Sequence, residues 1–136
     1  MRLTLLLDTN FLLMMARGLV APSLIGDALK VSYTLATSSA VVEELERLAS
    51  RGDLRAREAS FALSLLERLG VMVIRSAERS ADKSLVDIAT RLKGEGARVA
   101  VATSDRELRR RLREAGVATL YYREEGSIVE LEWEPL

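Results

Sequence analysis

Asp8, Glu44, Asp82 and Asp105 lie far apart in the chain, yet each falls just after a predicted strand or on the helix that follows one. Asp8 ends the apolar run of LLLDTN, and Asp105 follows the fourth strand in VATSDREL. Asp82 opens the helix after the third strand in SADKSLVDIA, and Glu44 sits on the helix after the second in SSAVVEELERL. In open parallel sheets, sites form beyond the carboxyl ends of the strands, where the strand order switches direction. These acids therefore belong to one edge of the sheet. Converging carboxylates repel one another unless cations neutralise them. Hard oxygen donors of this kind suit Mg²⁺ or Mn²⁺.

Helical phase separates neighbouring candidates. At about 100° per residue, Glu43 points almost opposite the apolar stripe of Val41, Val42, Leu45, Leu48 and Ala49, whereas Glu44 flanks it. Glu46 flanks the other side, so geometry prefers Glu44 without excluding Glu46. On the later helix, Asp82 extends the face of Leu85, Ile88, Ala89 and Leu92, and Asp87 lies off it. Each acid alone has a simpler use. Asp8 can cap a helix, Ser104 to Glu107 reads as a capping box with Asp105 in the first turn, and Asp82 suits a helix dipole. Glu44 alone can be one more solvated glutamate. It is the convergence that points to a metal.

The rest of the composition narrows the chemistry. Histidine, cysteine and glutamine are absent from the 136 residues, which excludes Ser–His–Asp triads, imidazole acid–base catalysis, thiol chemistry and thiolate–zinc sites. Asn10 is the only asparagine, two residues after Asp8. Seventeen arginines against three lysines, with almost no amides, suggest a thermophilic source. Net charge is zero, so no global positive field announces nucleic acid. No apolar run approaches the ~20 residues of a membrane span. The opening residues lack the layout of a secretory signal, and a cytoplasmic protein is expected.

Strand and helix signals alternate along the chain. Strands are predicted at Leu3–Leu7, Tyr33–Thr37, Val71–Arg75, Arg98–Thr103 and Ala118–Tyr122. Helices are predicted at Thr9–Arg17, Pro22–Lys30, Ala40–Ser50, Leu54–Leu69, Ala81–Lys93 and Asp105–Ala115. Pro22 suits a first helical turn, and Ser38 and Ser39 offer N-caps. In the tail, Val129, Leu131 and Trp133 alternate after Gly126, which predicts a hairpin back along the preceding strand. Residues 1–136 then form a single α/β domain. It is a three-layer sandwich with a central, mostly parallel sheet, helices on both faces and a C-terminal antiparallel hairpin.

The ordered set LLLDTN, SSAVVEELERL, ADKSLVDIA and VATSDRELRRRLREAGV resembles the PIN-domain ribonucleases, from Leu3 to about Tyr122. The resemblance implies the same acidic quartet, Asp8, Glu44, Asp82 and Asp105, holding one or two Mg²⁺ or Mn²⁺ ions for endonucleolytic hydrolysis of single-stranded or structured RNA. In such domains the asparagine of the Asp–x–Asn step, here Asn10, holds the acidic loop in shape by hydrogen bonding. A local backbone bond at the helix start is its simpler role. Thr103 and Ser104 would orient carboxylates or a water at the metal. DRELRRRLR looks closer to the ribosomal RNA-processing branch than to toxins of toxin–antitoxin pairs.

For grip on RNA, Arg106, Arg110 and Arg113 form an i, i+4, i+7 line leading away from the acidic edge, and Arg51, Arg55 and Arg57 make a second cluster. Interleaved glutamates leave open that these are solvated ion-pair faces. Partners implied are RNA, a second copy of the chain, and either an antitoxin or a ribosome-assembly factor. Two other readings are an RNA-binding module that has lost catalysis and a phosphoryl-accepting receiver domain. The complete acidic set opposes the first. The second wants an aspartate after the third strand and a lysine after the fifth, and neither is present.

Overall fold

The computed structural model describes residues 2–132. Leu3–Leu7 forms β1 as an almost unbroken apolar run, and Leu3, Leu5, Leu6 and Leu7 are all fully buried. Burial of successive residues, which point to opposite sides, means that both faces of the strand are covered. The other strands are β2 (Tyr33–Ser38), β3 (Met72–Ile74), β4 (Arg98–Ala102), β5 (Ala118–Arg123) and β6 (Ile128–Leu131). They make one sheet in the order β3-β2-β1-β4-β5-β6, parallel except for β6 against β5.

Six helices connect these strands: α1 (Thr9–Ala16), α2 (Pro22–Leu29), α3 (Ser39–Ala49), α4 (Leu54–Arg68), α5 (Ala81–Gly94) and α6 (Arg106–Glu114). The chain moves outward from β1 to β2 to β3, then crosses back to β4 and continues to β5. With right-handed crossovers, this reversal puts α1 to α4 on one face and α5 and α6 on the other. The contacts agree: α1, α3 and α4 pack together, while α5 rests on β2 and β4 and α6 on β5. The switch in direction falls between β1 and β4, and their carboxyl ends deliver Asp8 and Asp105.

The fold is the α/β sandwich expected from the sequence, with local differences. β3 shrinks from five residues to three. It is an edge strand with Met72 and Val73 half-exposed, so pairing holds it from one side only. α5 runs through Gly94, and the turn is made at Gly96, whose φ of +87° favours glycine. Asp105 is not in the first turn of α6 but is its N-cap, accepting the Leu108 N–H at 2.8 Å. Of the alternating tail residues, Val129 and Leu131 lie in β6, and Trp133 lies outside the described residues. Among the described residues, no helix is long and apolar enough to cross a membrane.

Candidate active site

Asp8 is where the sheet meets the site. The β1 backbone continues its ladder one residue past the strand, with the Asp8 N–H donating to the Ala102 carbonyl at 3.1 Å. The Thr37 hydroxyl donates to the Leu7 carbonyl at 2.7 Å, fixing the last turn of chain before the acid. The Asp8 carboxylate then caps α1, accepting the Phe11 N–H at 2.6 Å. It also takes a hydrogen bond from Thr103. With 4 % of its surface exposed, Asp8 pays heavily for charge: burial, reinforced by Asp82 and Asp105, pushes its pKa up to about 7.

The other three acids face the same space. Asp82, in the first turn of α5, also has a raised pKa, through burial first and then through Asp105 and Glu44. Arg111 of α6, absent from the sequence-based candidates, is the cation that opposes this rise. Glu44 is partly buried on α3, whereas Glu43 and Glu46 are exposed, so packing resolves the choice that helical phase left open. Asp8, Glu44, Asp82 and Asp105 together line one cavity of about 330 Å³. Asn10, Leu48, Arg51 and Arg55 complete much of its wall. A larger cavity of about 550 Å³ lies between α2 and β6, but its lining mixes Asp27, Lys30, Arg98 and Glu130 with apolar residues and converges on no chemistry.

Buried hydroxyls hold the acids in place. Thr103 is fully buried at the end of β4, and its oxygen accepts the Asp105 N–H at 3.1 Å while its proton goes to Asp8. One side chain thus couples two of the acids. Ser38 caps α3 through the Val41 N–H, and Ser84 Oγ stands 2.7 Å from Ser38 Oγ, tying the helix of Glu44 to the helix of Asp82. Thr103→Val keeps the shape but takes the acceptor from the Asp105 N–H and one of two donors from the Asp8 carboxylate. We expect a loss of about 1–3 kcal/mol in urea unfolding at pH 8, with Thr103→Ser recovering part of it.

The remaining candidates are placed differently from expectation. Ser104 Oγ accepts the Tyr122 N–H at 3.2 Å and joins β5 to the β4 exit, and among the described residues it bonds no carboxylate. Asn10 is exposed at the cavity wall, and its Oδ1 accepts from Arg55 Nη2 at 3.3 Å. The α6 arginines do not line the cavity. Arg110 is held between Glu107 at 2.6 Å and Glu114 at 2.9 Å, and Arg113 pairs with Glu132 at 2.8 Å. Arg106 is exposed outside the lining. Arg109, which also pairs with Glu132, lies 4.0 Å over the Tyr121 ring and fastens α6 to the hairpin.

Carboxylate oxygens are the donor type that a hard divalent cation takes. Four carboxylates share one cavity, two have pKa values raised by burial and then by neighbouring carboxylates, and the buried Thr9 Oγ1 beside Asp8 has no hydrogen-bond partner among the described residues. Among the described residues, no three such groups are drawn close enough to hold an ion as they stand. Among the described residues, no hydrogen bond restrains the Asp82 carboxylate, which is exposed.

Comparison with known proteins bears on this arrangement. A family model described as a PIN like domain matches residues 5–125. No curated protein matches the chain. Among solved structures, that of the PIN domain endonuclease Utp24 is similar over 98% of this chain and 95% of that one, with a TM-score of 0.74 and 20% identity, which shows a shared fold. VapBC-1 from nontypeable Haemophilus influenzae matches over 84% of this chain and 94% of that one, at 15% identity and a TM-score of 0.42, too loosely to carry an argument. The chain belongs to the PIN-like domain family.

Proposed function

We propose that the protein is a metal-dependent endoribonuclease that hydrolyses phosphodiester bonds at the cavity of Asp8, Glu44, Asp82 and Asp105. The observation that carries this reading is that four carboxylates from four separate segments line one cavity at the strand-order switch. Asp8, Asp82 and Asp105 would hold one or two Mg²⁺ or Mn²⁺ ions, with Glu44 as a further ligand or as the group orienting water. When bound, such an ion supplies activation of water near neutral pH and neutralises charge building on the phosphoryl oxygens. The chain's own part is positioning. Thr103 fixes Asp8 relative to Asp105, and the Ser38–Ser84 pair fixes Glu44 relative to Asp82.

Attack by water leaves 5′-phosphate and 3′-hydroxyl ends and does not need a 2′-hydroxyl, so single-stranded DNA would also be cut slowly. Processing of ribosomal RNA is the role proposed, on the resemblance of DRELRRRLR to that branch of the family. The test is incubation of labelled single-stranded RNA with Mn²⁺, Mg²⁺ or EDTA, followed by analysis of the product ends. We expect 5′-phosphate products that vanish in EDTA. Products ending in 2′,3′-cyclic phosphate, or cleavage indifferent to EDTA, would sink the proposal.

A further inference from the structure

The acidic cavity has a cationic wall that the proposed chemistry leaves unused. Arg51 and Arg55 line it from the connection between α3 and α4 and from the first turn of α4. Their charges are available. Arg51 meets Asp53 only at 3.9 Å, with both side chains at least half exposed, and Asp53 is already committed to capping α4 through the Ala56 N–H at 2.9 Å. At 3.9 Å that contact is too long for a hydrogen bond. Arg55 has no carboxylate partner among the described residues, and its one hydrogen bond is to Asn10 Oδ1. Arg110 and Arg113 of α6 are the reverse case, already paired with Glu107, Glu114 and Glu132.

The partner of Arg55 is informative. An aspartate at position 10 would hold the guanidinium equally well but would cancel its charge. A neutral amide orients it and leaves the charge for a ligand. The one asparagine in the chain stands at this point. A planar guanidinium presents paired donors that match the oxygens of a phosphate group.

We infer that Arg51 and Arg55, with Asn10 as the positioning residue for Arg55, form the phosphate clamp that seats a single-stranded nucleic acid across the acidic cavity. This rests on the nuclease reading for its purpose, but the clamp is testable without cleavage. At about 330 Å³ the cavity is at the small end of ligand sites. It accommodates one phosphodiester and its neighbours, while flanking phosphates extend over the arginine wall.

The test is equilibrium binding of a fluorescently labelled single-stranded RNA oligomer in EDTA across a salt series. Steady-state cleavage by the same proteins in Mn²⁺ runs alongside. Arg51→Ala and Arg55→Ala should each weaken binding roughly 10-fold or more, in line with a charge-assisted phosphate contact. Each should also lower the salt slope by about 0.7, the value for one single-strand phosphate. In cleavage the loss should fall mainly on KM. Asn10→Asp should weaken binding as Arg55→Ala does, whereas Asn10→Ser should retain more of it. The double variant Arg110→Ala/Arg113→Ala should bind within about threefold of wild type, since the charges it removes are already held in hydrogen-bonded ion pairs. Oligomer binding by Arg51→Ala and Arg55→Ala at wild-type strength and salt slope would overturn the clamp, as would a larger loss in the α6 variant. Clamp-dependent binding without any cutting would support the clamp and defeat the nuclease reading. Normal cutting by Arg55→Ala at unchanged KM would do the opposite.

Discussion

Asp8→Asn is expected to melt roughly 5–10 °C above wild type at pH 8 in the absence of divalent cations. The reason is the cost of a buried charge. Asp8 is almost wholly buried, and its pKa in the fold is about 7 against an ordinary 3.8. Between those values the folded protein binds a proton that the unfolded chain has released. The contribution of Asp8 to stability is therefore fully present below about pH 4, falls as pH rises toward 7, and levels off above it. A gap of about three units corresponds to about 4 kcal/mol, an upper figure. Asparagine preserves the acceptor for the Phe11 N–H and carries no charge at any pH. The gain should accordingly shrink to roughly a third at pH 5 and vanish only below about pH 4. Calorimetric melts of both proteins at pH 5 and pH 8 check this, and a less stable variant at pH 8 would mean the charge is already compensated.

Divalent cations should reverse that order. In wild type, Mn²⁺ at about 100 times its dissociation constant should add about 2.7 kcal/mol by mass action, whereas Asp8→Asn should gain little. Binding near pH 7 should also release protons, because Asp8 is about half protonated there and must ionise to accept an ion. The release should grow toward pH 6 and fade above pH 8. Calorimetry in buffers of different ionisation enthalpy reads it directly. Equal stabilisation of wild type and Asp8→Asn by Mn²⁺ would place the ion elsewhere.

Local patterns carried most of the fold. The alternation of apolar runs with amphipathic helices and the Gly and Pro stops located every strand and helix to within a few residues. The acids were legible because strand ends and helical phase are short-range properties: Glu44 against Glu43 is a difference of one step on a helix. What was hidden depended on contacts across the chain. Thr103 and Ser104 are adjacent and chemically alike, yet only Thr103 reaches both acids, because Ser104 is turned to the Tyr122 N–H on β5. The glutamates flanking Arg110 were visible at helical spacing, but the partner of Arg113 is Glu132, nineteen residues on and past the hairpin. The Ser38–Ser84 bond spans 46 positions. Likewise, the closeness of Arg55 to Asn10 follows from how α4 packs on α1, 45 residues away.

The most direct measurement is the rate at which wild type and Asp8→Asn cut the same labelled single-stranded RNA in Mn²⁺ at pH 8, with both proteins shown to be folded by their melts. Loss of cleavage in the variant by a factor of at least ~10³, the scale of removing a main electrostatic contributor to a transition state, is the expected result, all the more telling in a protein that is more stable than wild type without metal. Equal rates would show that the chemistry does not happen at this acidic cavity.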